Sequence, residues 1–347
     1  MTAPRPRIGL VGPMLGGNPG WGPSQGEVLG ELLSRSGYEV LSTSRFLNRG
    51  LRLCDTASSV LRWSRRVDIV VVMVFSGFGF GAAYVPSWMA KRMHKPLILA
   101  LHGGNLPDFA RRHPAWSRSV LSRGDILVAP SDYLASAMGR LGFETRVIPN
   151  ILPMESYTYR ERRSVAPRLF WMRTFHDIYQ PDMAINVLRK LCSSHPAARL
   201  TMAGQDMGML QDMRRLAEVH GLGERVRFPG FLDALGKRRE FESHDIFINT
   251  SRIDNMPVSL VEAAAAGLPV VTTAVGGIPY VFRDEHSALF VTDGDAAAMA
   301  RAVERLVELP DLTAKLSRNG RMVAQSCGWT QVKPEWERLF EELLAGA

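Results

Sequence analysis

Short, continuous apolar runs recur along the chain at intervals that leave room for one helix between each pair. In the first half they lie at 8–11, 38–41, 68–75, 96–102, 125–129 and 146–148. Runs that are apolar throughout, rather than alternating, mark strands buried on both faces, which means a parallel sheet covered by helices. Helical spacing fills the gaps, as at 25–36 and 131–141, where Ser131 is placed to cap the helix. A polar, proline-containing stretch from 153 to 167 then interrupts the pattern, and its portion 156–167 reads as a linker. The second half repeats the same grammar, with runs at 169–172, 199–203, 225–228, 245–249, 269–273 and 288–291. Helical stretches intervene at 182–191, 207–220, 257–266 and 296–308. The expected architecture is α/β, with two doubly wound domains, 1–155 and 168–328, facing across a cleft. Ligands of such sheets bind at the carboxyl ends of the strands. The final segment, 329–347, carries Val332, Trp336, Leu339, Phe340 and Leu343 on one helical side and is expected to pack back near the domain junction.

Composition narrows the class. The 347 residues are 46% hydrophobic, enough for two cores, and no apolar run approaches the roughly 18–20 residues that cross a bilayer. The start of the chain shows a glycine-rich loop in place of a signal-peptide cleavage site. Cys54, Cys192 and Cys327 stand far apart, which excludes a disulfide framework and a zinc ribbon. A soluble, cytoplasmic protein is the expectation. Charge adds a second layer. Residues 1–160 hold 19 Lys+Arg against 10 Asp+Glu, whereas residues 161–347 are close to neutral, with 23 and 24. The basic residues alternate with large apolar ones, as in Arg45, Phe46, Leu47, Arg49, Leu51 and Arg52, again around Trp88, Lys91 and Arg92, and again from Arg111 to Arg123 around Trp116. This is the composition of interfacial helices, so the first half is expected to meet something anionic. With a lipid-linked acceptor that partner is the inner face of a membrane, on which the protein would be peripheral, and the alternative is a basic surface that is simply solvated. Nucleic acid is not expected, because no nucleic-acid-binding motif accompanies the charge.

The densest chemical signal is the stretch 251–280, SRIDNMPVSLVEAAAAGLPVVTTAVGGIPY. A strand ends, a loop carries Asp254, Asn255 and Met256, and Pro257, Val258 and Ser259 open a helix that holds Glu262. The free N–H groups at a helix start form an anion site, and acids eight positions apart can hold sugar or ribose hydroxyls on either side of a diphosphate. Elsewhere, Gly16 and Gly17 lie in the loop after the first strand, His102 ends the fourth run, and Arg173 follows the first strand of the second half. Gly204 and the Gly230–Phe231 pair occupy strand-end loops. The first loop fails the GxGxxG spacing, and the second strand ends in Ser42, Thr43 and Ser44 without the acid that a dinucleotide site needs. Asp293-Gly-Asp295 precedes a helix, where Asp295 is more simply a cap than half of a metal motif. No HExxH, P-loop or nucleophile-elbow motif occurs.

The 251–280 stretch resembles the donor-binding signature of retaining GT-B glycosyltransferases of family four, an acid, seven residues and a second acid, then AxxxGxPVV and VGGxPE. Glu262, Ala263, Gly267, Pro269, Gly276, Gly277 and Pro279 fit it. Asp254 stands where the first glutamate is usual, and Tyr280 replaces the last. The resemblance implies two Rossmann-like domains and transfer of a sugar from a nucleotide-diphospho-sugar to a saccharide or lipid-linked acceptor. Anomeric configuration would be retained, with no metal or cofactor beyond the donor, in polysaccharide or glycolipid assembly. It further implies that Glu262 binds ribose, Asp254 the transferred sugar, His102 the sugar near the reacting centre, and Arg173 the diphosphate. Gly16, Gly17, Gly204, Gly230 and Phe231 would line the donor site, with Asn255, Met256, Pro257, Val258 and Ser259 around the phosphate. The lysine usual about six residues after the arginine is missing, with Tyr179 and Gln180 in its neighbourhood. A nucleotide-sugar epimerase and a non-catalytic sugar-nucleotide-binding module remain open alternatives.

Overall fold

A computed structural model describes residues 5–63 and 65–346. The chain divides into two compact units, one built from residues 1–151 and 329–347 and the other from 152–328. In the first unit, β1 (Ile8–Val11), β2 (Val40–Thr43), β3 (Ile69–Val74), β4 (Leu97–Leu101), β5 (Ile126–Ala129) and β6 (Arg146–Val147) form one sheet in the order β2-β1-β3-β4-β5-β6. Every pairing is parallel, with Ile8 opposite both Val40 and Ile69. All six residues of β3 are buried, which is why its sequence shows no alternation. Helix Gln25–Arg35 starts with a capping box in which Glu27 N–H donates to Ser24 Oγ and Ser24 N–H donates to Glu27. Ser131 caps helix Asp132–Gly139 by accepting from Leu134 N–H, as its position in the sequence suggests.

The C-terminal helix, Trp329–Ala345, belongs to the first unit. Its Val332, Trp336, Leu339 and Phe340 join one core with Ile8, Leu29, Leu33 and Ile98. Trp329 Nε1–H donates to Ser36 Oγ at 3.0 Å, and Tyr38 O–H donates to Glu337 at 2.9 Å.

In the second unit, β7 (Arg168–Met172), β8 (Arg199–Ala203), β9 (Val226–Gly230), β10 (Ile246–Asn249), β11 (Val270–Thr273) and β12 (Leu289–Val291) pair in parallel in the order β12-β11-β10-β7-β8-β9. The chain runs outward from β7 in one direction and from β10 in the other. The strand order therefore reverses between β7 and β10, and the loops leaving those two strands flank the switch point where such sheets take ligands.

Residues 156–167 are not a free linker. They are part of the second unit, because their polar composition conceals a buried guanidinium. Arg162 donates to the carbonyls of Phe241 (2.6 Å), Arg160 (2.8 Å), His244 (3.1 Å) and Ala266, and its own N–H donates to Ser317 Oγ at 3.1 Å. Such a set of carbonyls satisfies a charge that would otherwise be costly to bury. Helices Ala234–Ser243 and Pro310–Ser326 lie where the sequence pattern gives no helix.

Candidate functional site

Arg173 leaves the end of β7 and Asp254 sits in the loop after β10, so the switch point of the second unit brings them together. The guanidinium donates to Asp254 Oδ2 through Nη2 and to Ser259 Oγ through Nη1 at 3.2 Å. Both charged side chains are about nine-tenths buried. The arginine also lies over the ring of Tyr179, 4.2 Å from its centroid, and its Nε has no hydrogen-bond partner among the described residues. Asp254 is held further by Asn255 N–H at 2.9 Å and by Ser251 O–H at 3.5 Å. Burial pushes its carboxyl above the usual range, while Arg173 and these donors pull the other way.

Two glycines make this approach possible. A Cβ on Gly276 would lie 1.9 Å from the Asp254 carbonyl oxygen, and one on Gly204 equally close to that of Arg173. Gly276 takes φ +54°, and Gly277 N–H donates to the same Asp254 carbonyl at 3.0 Å. Gly204 N–H in turn donates to the Gly230 carbonyl at 2.9 Å, while Gly230, at φ +78°, has open space over its Cα. Phe231 beside it is 36% exposed.

Pro257 is the N-cap of helix Val258–Ala265, one position ahead of the first-turn place expected for it. Leu260 N–H bonds the Pro257 carbonyl at 3.2 Å, so Val258 and Ser259 precede the first hydrogen bond of the helix. Met256 is buried against the core, and Val258 packs on the same cluster. Glu262 lies one turn deeper. Its Oε1 accepts from Tyr157 O–H at 2.7 Å and from Lys237 Nζ at 2.9 Å. Burial and the adjacent carboxylate both push the Tyr157 hydroxyl upward, which keeps it a donor. Neither Tyr157 nor Lys237 figured in the sequence reading. Tyr157 lies in the polar stretch 153–167, and Lys237 lies in a charged helix whose sequence marks no inward face. No lysine follows Arg173 at the usual distance, and the cation that pairs with Glu262 is Lys237, 64 positions further along the chain. Asp295 accepts from Ala298 N–H at 2.7 Å as a helix cap, and Asp293 accepts from Gln180.

Gly16, Gly17 and His102 belong to the first unit. Gly16 N–H donates to both oxygens of Glu27, at 3.0 and 3.2 Å, so this amide is engaged within its own loop. Gly17 has open space over its Cα. His102, half-buried just past β4, contacts Met73 Sδ through Nε2 at 3.2 Å. Burial lowers its pKa to about 4, against a smaller opposing effect of Asn150, so the imidazole is neutral near pH 7. With Gln25, Met73, Asn150 and Trp336 it lines a small pocket within this unit.

Residues 168–323 match the family model described as glycosyl transferases group 1, and residues 19–155 match that of glycosyltransferase family 4. A D-inositol 3-phosphate glycosyltransferase of Streptomyces coelicolor is 28% identical over 157 residues, covering 43% of this chain and 34% of that protein. The D-inositol 3-phosphate glycosyltransferase of Mycobacterium marinum is 28% identical over 169 residues, 48% of this chain and 34% of its own. The matched part thus spans about a third of these curated relatives. Among solved structures, sucrose-phosphate synthase from Thermosynechococcus elongatus superimposes with a TM-score of 0.78 at 17% identity, covering 99% of this chain and 100% of that one. Anabaena HepE in complex with UDP and glucose gives 0.75 at 17% identity, covering 97% and 100%. The two matches follow one another along the chain, residues 19–155 with the family 4 model and residues 168–323 with the group 1 model, and each falls on one of the two six-stranded parallel α/β units that characterise GT-B glycosyltransferase structures.

Proposed function

We propose that the protein is a retaining, metal-independent glycosyltransferase that moves a sugar from a nucleotide-diphospho-sugar to a saccharide or lipid-linked acceptor in glycan or glycolipid assembly. The observation that carries this reading is the buried Arg173 fork, held by Asp254 and Ser259 beside the open first turn of helix Val258–Ala265. A diphosphate arriving there meets a guanidinium of matching geometry and a helix N-terminus. Both stabilise the negative charge that grows on the leaving nucleotide, and neither has to move far to do so. Glu262, already paired with Tyr157 and Lys237, exchanges those donors for ribose hydroxyls, and Lys237 is then free to turn toward the phosphates. Asp254 takes a hydroxyl of the transferred sugar. Retention follows front-face departure, in which the leaving phosphate accepts the acceptor's proton. His102, neutral near pH 7, serves as a hydrogen-bonding group for the sugar and not as a cation. UDP is the first nucleotide to try, since the HepE structures hold it.

Isothermal calorimetry against UDP, GDP, ADP and CMP, with thermal shift as a second readout, tests the donor site. One nucleotide should stand out, and Arg173→Ala should weaken it and lower turnover by about 100-fold or more. Undiminished turnover in that variant would remove the diphosphate assignment. Binding with no transfer across a broad acceptor panel would leave a sugar-nucleotide-binding module instead. The anomeric configuration of product, read by proton NMR, decides between retention and inversion.

A further inference from the structure

Helix Arg49–Arg62 is turned opposite to an ordinary surface helix. Its inner side is Thr56, Ser59, Val60 and, just past its end, Trp63, whereas Leu51, Cys54, Ser58 and Leu61, one helical face at 3–4 spacing, are all exposed. Leu51 and Leu61 are 56% and 63% exposed, and Phe46 and Leu47 just before the helix are about half exposed. Helix Phe78–Arg92 packs beside it and presents Tyr84, Trp88, Lys91 and Arg92 outward; helix Pro114–Leu121 packs beside that one and presents Trp116. One helical layer of the first unit therefore carries a run of aliphatic and aromatic side chains that the protein leaves in water.

The charge on the same layer is of one sign. Residues 45–66, 78–95 and 106–125 hold thirteen Lys+Arg and three Asp+Glu. Those three acids are already engaged: Asp55 accepts from Thr43, Asp108 pairs with Arg111, and Asp125 pairs with Lys91 at 2.6 Å. Among the described residues, Arg45, Arg65 and Arg66 have no acidic partner. Arg92 lies over the Trp88 ring at 5.3 Å and Arg123 over Tyr84 at 4.2 Å, so aromatic and cationic groups are interleaved side by side. Exposed leucines alone would suit a protein partner equally well. Exposed leucines in a layer whose charge is almost wholly basic, with Trp and Tyr beside them, match the acyl boundary and the anionic headgroups of a bilayer.

We propose that this layer, formed by helices Arg49–Arg62, Phe78–Arg92 and Pro114–Leu121, is a docking face for an anionic lipid surface, with Leu51 and Leu61 entering the acyl boundary and the arginines holding the headgroups. The proposal rests on the surface of the first unit alone and is independent of the donor-site reading.

Co-sedimentation of the full chain with vesicles of phosphatidylcholine containing about a third phosphatidylglycerol tests it. Partitioning should fall at least about tenfold on neutral phosphatidylcholine vesicles or in half-molar salt, since each basic residue near an anionic surface contributes a several-fold gain. Leu51→Glu with Leu61→Glu should abolish it, and Arg65→Glu with Arg66→Glu should weaken it on anionic vesicles only. These positions are exposed, so unchanged circular dichroism melts and unchanged UDP binding are expected for both variants. Equal partitioning onto neutral and anionic vesicles, or binding that survives the double leucine change, overturns the proposal. So does sedimentation velocity showing a dimer that Leu51→Glu with Leu61→Glu converts to monomer, which would assign the face to a second copy of the chain.

Discussion

Arg173 illustrates how one side chain can serve the resting protein and the reaction in turn. Its guanidinium compensates the buried Asp254 carboxylate, and Ser259 takes a second N–H. Removing the arginine leaves a buried carboxylate without its counter-charge, which typically costs about 3–5 kcal/mol. The Arg173→Ala variant is therefore best tested beside Arg173→Lys, which retains the charge and loses only the fork. His102 carries a separate prediction. Its pKa is about 4 in the folded protein against an unperturbed value near 6.5, so the unfolded chain binds more protons in that interval. Stability is complete above pH 6.5 and is lost as pH falls, by up to about 3 kcal/mol at pH 4 from this group. Buried His244, whose pKa is also lowered by burial, adds a loss of the same sign. Urea unfolding at a series of pH values checks the slope, and His102→Gln should flatten it between pH 4 and 6.

At the scale of elements, the two glycine contacts hold the loops of the site in place. Gly276→Ala puts a methyl where the Asp254 carbonyl stands, at a φ that side chains rarely take. The loop carrying Asp254 must then move, and the expected result is a loss of about 2 kcal/mol or more in stability with nucleotide binding reduced in parallel. Denaturant unfolding and calorimetry on the same variant check both. The strands were readable because a strand buried on both faces leaves a continuous apolar run; β8 (Arg199–Ala203) matches its expected range residue for residue. Helix Arg49–Arg62 is legible as a stretch of interfacial-helix composition but not in its bounds, since it buries Thr56 and Ser59 and exposes leucines, the reverse of the pattern that defines a core-facing helix. The acids and glycines of the 251–280 stretch are legible because their spacing lies within two consecutive strand-loop-helix units, those of β10 and β11. Tyr157, 105 positions from Glu262, and Lys237, 25 positions away, were not, because their meeting is a product of the tertiary fold.

The molecule as a whole has a first unit that is discontinuous in sequence. Val332, Trp336, Leu339 and Phe340 complete a core whose other fully buried members lie before residue 152. Phe340→Ala should cost the first unit about 3–5 kcal/mol. Limited proteolysis should then cut between residues 5 and 151 while the 152–328 segment resists. The second unit, by contrast, begins and ends at one place: Leu152 N–H donates to the Cys327 carbonyl at 2.8 Å, and Leu152 bridges Gly328. On the ribosome this arrangement fixes an order of assembly. The 177 residues of the second unit are synthesised before Trp336 and Phe340, so the part of the protein made later can finish folding first. The earlier part must wait, with a side of its sheet open, for the last helix to arrive.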